Sequence, residues 1–306
     1  KNFLDDISRK NDVLEAFKKN DVSVNSWNIV KDLPTNLPNW RTDLPLLTKI
    51  DELSNNQALL SRLMGEGDLD GIDALKKILE KGQRHPYRNC ACGDKWLPDI
   101  DILLEDIVNL NTLYPNNSQN SGFVQEILKE LKTPLNEGTR RGRVFEMRQV
   151  VLRNNPNASL GESLPNGKKA DYVDELKHME FKSTVSVEKK FDPTQAVNDF
   201  DQLRGYLQQI KNLDRFDLVI DKKYLAFKNN LDPNDLMSVT KFAKREMQQI
   251  FKVPVNKAKL FTDIWSNSTL KQSVFIDVDD ISEALDLFDT MIDELDNNLF
   301  KFIKIQ

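Results

Sequence analysis

Apolar residues recur at helical spacing through the first third of the chain. Val13, Leu14 and Phe17 share one face, Leu44, Leu47, Ile50 and Leu53 a second, and Ile72, Leu75, Ile78 and Leu79 a third. Ile100, Leu103, Leu104, Ile107, Val108 and Leu110 make a fourth. Breaks fall at Pro34, Pro38, Gly65 with Gly67, His85 with Pro86, and Pro98. Trp27 and Trp40 bracket the proline-broken stretch and are expected to pack it. No alternation of period two stands out here, so residues 1–114 are predicted to form an all-helical domain. Residues 115–121 are polar and lack apolar anchors, which predicts a linker and places a second domain at 122–306.

Beyond the linker the pattern changes. Helical spacing continues over 123–132 and again over 139–153, where Val144, Met147, Val150 and Val151 face inward. Short strand-like runs follow at 158–164, 168–174 and 178–184, the first two joined across Asn166 and Gly167, a strong hairpin signal. A helix is predicted over 193–210 with Ala196, Phe200, Leu203, Leu207 and Ile210 inward. Phe216 to Ile220 is a nearly continuous apolar run, as a buried strand requires. Tyr224–Phe227 is expected to extend the sheet, 235–251 to be helical, 273–278 a strand and 281–295 an acidic helix. The fold class is therefore mixed, α+β or α/β: an all-helical N-terminal domain, then a mixed central sheet flanked by helices.

Composition narrows the function. The chain has 306 residues, 39% hydrophobic and 30% charged, with net charge −5, so no global basic footprint announces a nucleic-acid binder. A local basic surface would suffice. Cys90 and Cys92 are the only cysteines and stand one residue apart, which suits neither a relaxed disulfide nor, with His85 alone nearby, a zinc site. They are expected to be ordinary thiols. No apolar run is long enough to span a bilayer, and no basic-then-apolar signal segment opens the chain. Because the first residue is Lys1 rather than Met, the chain is expected to be a processed piece of something longer.

The candidate chemistry lies between Arg143 and Tyr206. Glu180 and Lys182 are two apart in a strand and share a face. A hairpin turning over Glu175 and Leu176 sets Asp171 opposite Glu180, with Cβ atoms about 5 Å apart. Two carboxylates so placed could share one divalent cation, and Lys182 adds an ammonium beside it. Glu146 stands beside the apolar stripe of the preceding helix, with a helix-surface salt bridge to Arg143 or Arg153 as the alternative to a role in the site. Gln202 and Tyr206 share a face of the following helix. His178 reads as a solvated turn residue. There is no Ser or Cys nucleophile motif and no Gly-rich phosphate loop.

This set resembles the PD-(D/E)xK signature of the restriction-endonuclease-like nucleases. Asp171 matches the first acid, with Ala170 where the proline usually stands, and Glu180 to Lys182 matches the second half. Glu146 matches the acid often found on the preceding helix, and Gln202 to Tyr206 resembles the Gln-x-x-x-Tyr element of the exonuclease-like branch. The resemblance implies a restriction-endonuclease-like fold and divalent-metal phosphodiester cleavage. Asp171, Glu180 and the Phe181 backbone carbonyl would hold Mg²⁺ or Mn²⁺, with Zn²⁺ as an alternative, and Glu146 would add a second metal or orient the first. Lys182 would position water or stabilise developing charge, while Gln202 and Tyr206 would hold the phosphate or Lys182. Arg140, Arg141, Arg143, Arg148, Lys168 and Lys169 would give the local basic surface. DNA is favoured as substrate. The alternatives are a structured-RNA or tRNA nuclease and an inactive binding module. A weaker resemblance is to the C-terminal toxin region of bacterial polymorphic toxins. It implies an exported effector acting in a target cell's cytoplasm, an immunity protein as partner, and a delivery or packaging role for the N-terminal domain; the alternative location is simply cytoplasmic.

Overall fold

The computed structural model describes residues 44–64, 70–82, 97–133, 137–163, 169–182 and 193–306, with Gly167 and a few positions before residue 44. His85, Cys90, Cys92, Trp27, Trp40, Pro165, Asn166, Lys168 and Thr184 lie outside the described residues, as do the first predicted helical face and most of its proline breaks. The chain divides into two compact units, residues 1–156 and 157–306.

In the first unit the described helices are α1 (Leu44–Asn55), α2 (Gln57–Leu63), α3 (Gly71–Gly82), α4 (Leu97–Leu113), α5 (Ser121–Lys132) and α6 (Glu137–Arg153). Their apolar stripes supply the core: Leu47, Ile50, Leu53, Leu75, Ile78, Leu104, Ile107, Ile127, Leu131, Met147 and Val150 are all buried. The polar stretch 115–121, expected to be a linker, falls inside this first compact unit. It is a tight turn inside this unit, in which the Ser118 N–H donates to the Pro115 carbonyl at 2.9 Å. Buried Arg62 donates to the Tyr114 carbonyl at 2.5 Å and to Asn111 Oδ1 at 3.1 Å, and the Tyr114 hydroxyl donates to the Asn155 carbonyl at 2.6 Å. These bonds to carbonyls at and beyond the end of α4 tie the turn down, so its polarity reflects turn chemistry rather than a linker.

The second unit runs β1 (Ser159–Ser163), β2 (Lys169–Val173), β3 (His178–Lys182), α7 (Pro193–Ile210), a 3-10 turn (Leu213–Arg215), β4 (Phe216–Ile220) and α8 (Lys222–Lys228). It continues with α9 (Leu236–Phe251), α10 (Pro254–Trp265), α11 (Ser268–Val274), α12 (Ile281–Glu294), α13 (Asn297–Phe300) and β5 (Ile303–Ile305). The strands stand in sequence order in one sheet. The first three form an antiparallel meander, and β4 and β5 join parallel to β3. The parallel step from β3 to β4 is spanned by α7, as a crossover connection requires. Phe200, Leu203 and Leu207 of α7 pack with Phe216, Leu218 and Ile220 of β4 and with Phe251, Phe261, Phe288 and Phe300 from the later helices.

Two expected strands are helical. Tyr224–Phe227 lies in α8, because Asp221 Oδ1 accepts the N–H groups of Lys223 and Tyr224 at 2.9 and 3.2 Å and so starts a helix. The 273–278 run is the end of α11 and the turn after it. Asn267 caps that helix by accepting from Thr269 and Leu270, both at 3.1 Å, and Phe275 is buried against Phe261 and Phe288. The fifth strand, β5, has no counterpart in the sequence expectation.

Candidate active site

The β2–β3 hairpin turns over Glu175 and Leu176, where Asp174 Oδ1 accepts from the N–H groups of Leu176 and Lys177, both at 2.8 Å. Tyr172 pairs with Met179 and Val173 with His178. One further step of this register sets Asp171 across from Glu180, as expected. At that step the ladder changes character. The Phe181 N–H donates not to a facing carbonyl but to Asp171 Oδ2, at 2.7 Å. The carboxylate of Asp171 thus takes the place of a main-chain acceptor, which fixes its position against β3. On β1 the same registers place Gly161 opposite Asp171, and Gly161 has a φ of 62°. A side chain there would meet the left-handed penalty of about 1–2 kcal/mol. A glycine in the centre of a strand was the signal for this kink.

Glu180 is the hub of the site. It is 4% exposed, and a buried carboxylate is stable only if its oxygens are met by donors. They are. Oε1 accepts from Gln202 Nε2 at 2.9 Å and pairs with Lys182 Nζ at 2.5 Å, and Oε2 accepts from the Tyr206 hydroxyl at 2.5 Å. Gln202 also donates to the Tyr206 oxygen at 3.1 Å, across one turn of α7. The Tyr206 hydroxyl lies equally close to the Lys169 carbonyl, so its single proton faces two acceptors. Burial, then the adjacent charge of Glu180, holds the Tyr206 pKa far above the ordinary tyrosine range. The phenol therefore stays a donor and does not act as a base. Its ring stacks on Phe216 with centroids 5.2 Å apart, which locks the hydroxyl in place.

Strand alternation divides the two faces of β3. Glu180 and Lys182 point to the α7 side, where Glu180 neighbours Leu218 of β4. Met179 and Phe181 take the other, and Phe181 meets the Tyr172 ring at 6.3 Å. Lys182 keeps 40% of its side chain exposed and lies at the end of β3, so the ammonium of the cluster reaches solvent.

Five of the six expected side chains thus lie together in the second unit. Glu146 belongs to the first, where it is buried and its Oε2 accepts from Arg143 Nη1 at 2.6 Å. The same guanidinium holds Glu126 and Glu130, each at 2.6 Å; burial pulls its pKa down, but Glu146 and Glu130 outweigh that and hold it above the ordinary arginine value. Arg148 is paired with buried Asp106 at 2.6 Å, and Arg140 is buried. Arg143 and Arg148 of the expected basic surface are therefore engaged within their own unit. His178 is half-buried rather than solvated. Burial lowers its pKa against the opposing pull of Glu162 and Asp174, and Nδ1 meets no hydrogen-bond partner among the described residues. The part of Lys169, whose carbonyl meets Tyr206, and the kink at Gly161 were not anticipated.

Among the described residues no three His, Cys, Asp or Glu side chains converge as a metal group, so Asp171 and Glu180 stand as a pair. Their donors are all oxygen. That chemistry fits Mg²⁺ or Mn²⁺, since Mg²⁺ is commonly held by one or two carboxylates and keeps several waters. It fits Zn²⁺ poorly, which prefers His and Cys ligands in fuller sets. Among the described residues no helix is long and apolar enough to cross a membrane. No family model, no curated protein and no solved structure matches the chain.

Proposed function

We propose that the chain is a divalent-metal-dependent nuclease that hydrolyses phosphodiester bonds, with DNA the favoured substrate. The observation that carries this reading is the convergence of Lys182, Gln202 and Tyr206 on the buried carboxylate of Glu180, beside Asp171. A salt bridge on a strand surface would not need three donors from two elements. The order α6, β1, β2, β3, α7, β4, with β4 parallel to β3, supports the restriction-endonuclease-like fold that the resemblance implies.

In this reading Asp171 and Glu180, with the Phe181 carbonyl, hold the metal. When bound, it supplies Lewis acidity toward the phosphate and lowers the pKa of a bound water. Tyr206 and Gln202 fix the orientation of the Glu180 carboxylate and offset the cost of burying it. Lys182, at the solvent-facing end of the cluster, stabilises negative charge as it develops on the phosphoryl oxygens.

The test is incubation with plasmid DNA and with total RNA, each with Mg²⁺, Mn²⁺, Zn²⁺ or EDTA. We expect Mg²⁺- or Mn²⁺-dependent DNA cleavage, lost in EDTA and reduced by about 100-fold or more in Asp171→Ala and Lys182→Ala. Cleavage of RNA alone would assign the site to an RNA nuclease. Absence of cleavage with every metal would reject the enzyme, leaving a binding module. Glu146 keeps the role implied by the resemblance only if Glu146→Gln lowers cleavage without lowering stability. The delivered-toxin reading expects expression in a bacterial cytoplasm to stop growth, and Lys182→Ala to restore it.

A further inference from the structure

The net charge of −5 conceals an uneven distribution. From Ile276 to Phe300 there is no Lys or Arg, while Asp277, Asp279, Asp280, Glu283, Asp286 and Asp289 all stand exposed along α12 and the turn before it. At the site's end of the sheet lysines gather beside Asp171, Glu180 and Asp221. Because β2 runs against β3, and β3 runs with β4, the start of β2 and the ends of β3 and β4 lie side by side. Lys169 opens β2, Lys182 closes β3, and Lys222 and Lys223 follow β4 after Asp221.

Backbone bonds fix this row. The Asp221 N–H donates to the Lys182 carbonyl at 2.9 Å, and the Lys222 N–H donates to the Gln306 carbonyl at 2.8 Å, at the end of β5. The Lys169 carbonyl meets the Tyr206 hydroxyl in the site itself. Asp221 Oδ1 accepts from the N–H groups of Lys223 and Tyr224. Lys169 and Lys223 are exposed, and Lys182 and Lys222 half-exposed. With strands about 4.8 Å apart, the lysine row from β2 to β4 covers roughly 10 Å. One nucleic-acid strand presents a phosphate about every 3.4 Å along its axis, so several fall within that reach.

We infer that Lys222 and Lys223 extend the site into a phosphate-contacting row, which seats a nucleic-acid backbone across the end of the sheet and leads it to Lys182. This rests on the nucleic-acid reading above. Binding is measured in EDTA, so that it is scored separately from cleavage. The probes are a short duplex DNA, a single-stranded RNA of matching length, and poly-glutamate, each followed by fluorescence anisotropy over a salt series. For the full chain with Lys222→Ala and Lys223→Ala combined, the slope of log K against log salt should shrink by about 1.8 on the duplex, or about 1.4 on the single strand. Lys222→Arg with Lys223→Arg should keep the wild-type slope, and so should Lys257→Ala on α10. An unchanged slope in the double alanine variant overturns the inference, as does a duplex and an RNA that the wild type fails to bind. Poly-glutamate bound as tightly, with the same dependence on Lys222 and Lys223, overturns it in favour of an acidic protein partner. Cleavage with an unchanged slope rejects the row alone. A lysine-dependent slope without cleavage under any metal rejects the nuclease and keeps the row.

Discussion

Tyr206 shows how much of the site rests on one atom. Its hydroxyl supplies one of the donors that make burial of the Glu180 carboxylate tolerable, and it does so from a ring held between α7 and β4. Removing it leaves an under-satisfied charge in place, which costs more than the bond itself contributes. Tyr206→Phe keeps the ring and its stack on Phe216. It should therefore lower the stability of the second unit by about 2 kcal/mol, the scale of a hydrogen bond to a charged group, read from urea denaturation. Cleavage should fall as well, because Glu180 loses its orientation. Full stability in the phenylalanine variant would mean that Gln202 and Lys182 satisfy Glu180 alone. The sequence could place Tyr206 near Glu180 through the i, i+4 relation to Gln202. It could not show that the hydroxyl also meets the Lys169 carbonyl, since that contact joins positions 37 residues apart and depends on the packing of α7.

Short elements are where the sequence was least legible. The meander and α7 could be read because alternation, an Asn–Gly turn and a long apolar stripe each mark their period. Four-residue apolar runs have no period to read, and at Tyr224 and Val274 the decision lay with a side-chain cap, Asp221 in one case and Asn267 in the other. The three residues of β5 are chosen by the open edge of β4 rather than by their own pattern. Between elements, one clamp has a pH signature. Asp106 on α4 is buried against Arg148 on α6, and burial outweighs the arginine, so its pKa is pushed up to about 6. A carboxylate with a raised folded-state pKa binds more protons folded than unfolded, so stability falls as pH rises from about 4 to about 6 and stays low above that. The first unit should thus gain on acidification from pH 7 toward pH 4, by up to about 3 kcal/mol from this group. In denaturation series across that range, Asp106→Asn should remove the slope. An equal slope in the variant would place the titration on another residue.

At the scale of the whole chain, composition pointed away from the function now proposed, because a net charge sums the acidic α12 stretch with the lysines at the sheet's end. Domain division was obscured in a similar way. Polar residues at 115–121 match a linker in composition, yet Arg62, Tyr114 and buried Asn120 make them part of a packed unit. The two alternatives differ in what a cut should do. A protease site introduced between Pro156 and Asn157 should release two folded fragments, since each side has its own internal packing. A cut within 115–121 should instead unfold the first unit, because it severs α1–α4 from α5 and α6, whose buried Ile127, Leu131, Met147 and Val150 belong to the same unit. Circular dichroism and size-exclusion chromatography of the cut proteins distinguish the cases. A folded fragment ending near residue 114 would restore the earlier boundary. The fragment 157–306 then decides a matter of function, for it retains Asp171, Glu180, Lys182, Gln202 and Tyr206 but lacks Glu146. If it folds and cleaves, those five residues suffice, and Glu146 is explained by its ion pair with Arg143 rather than by catalysis.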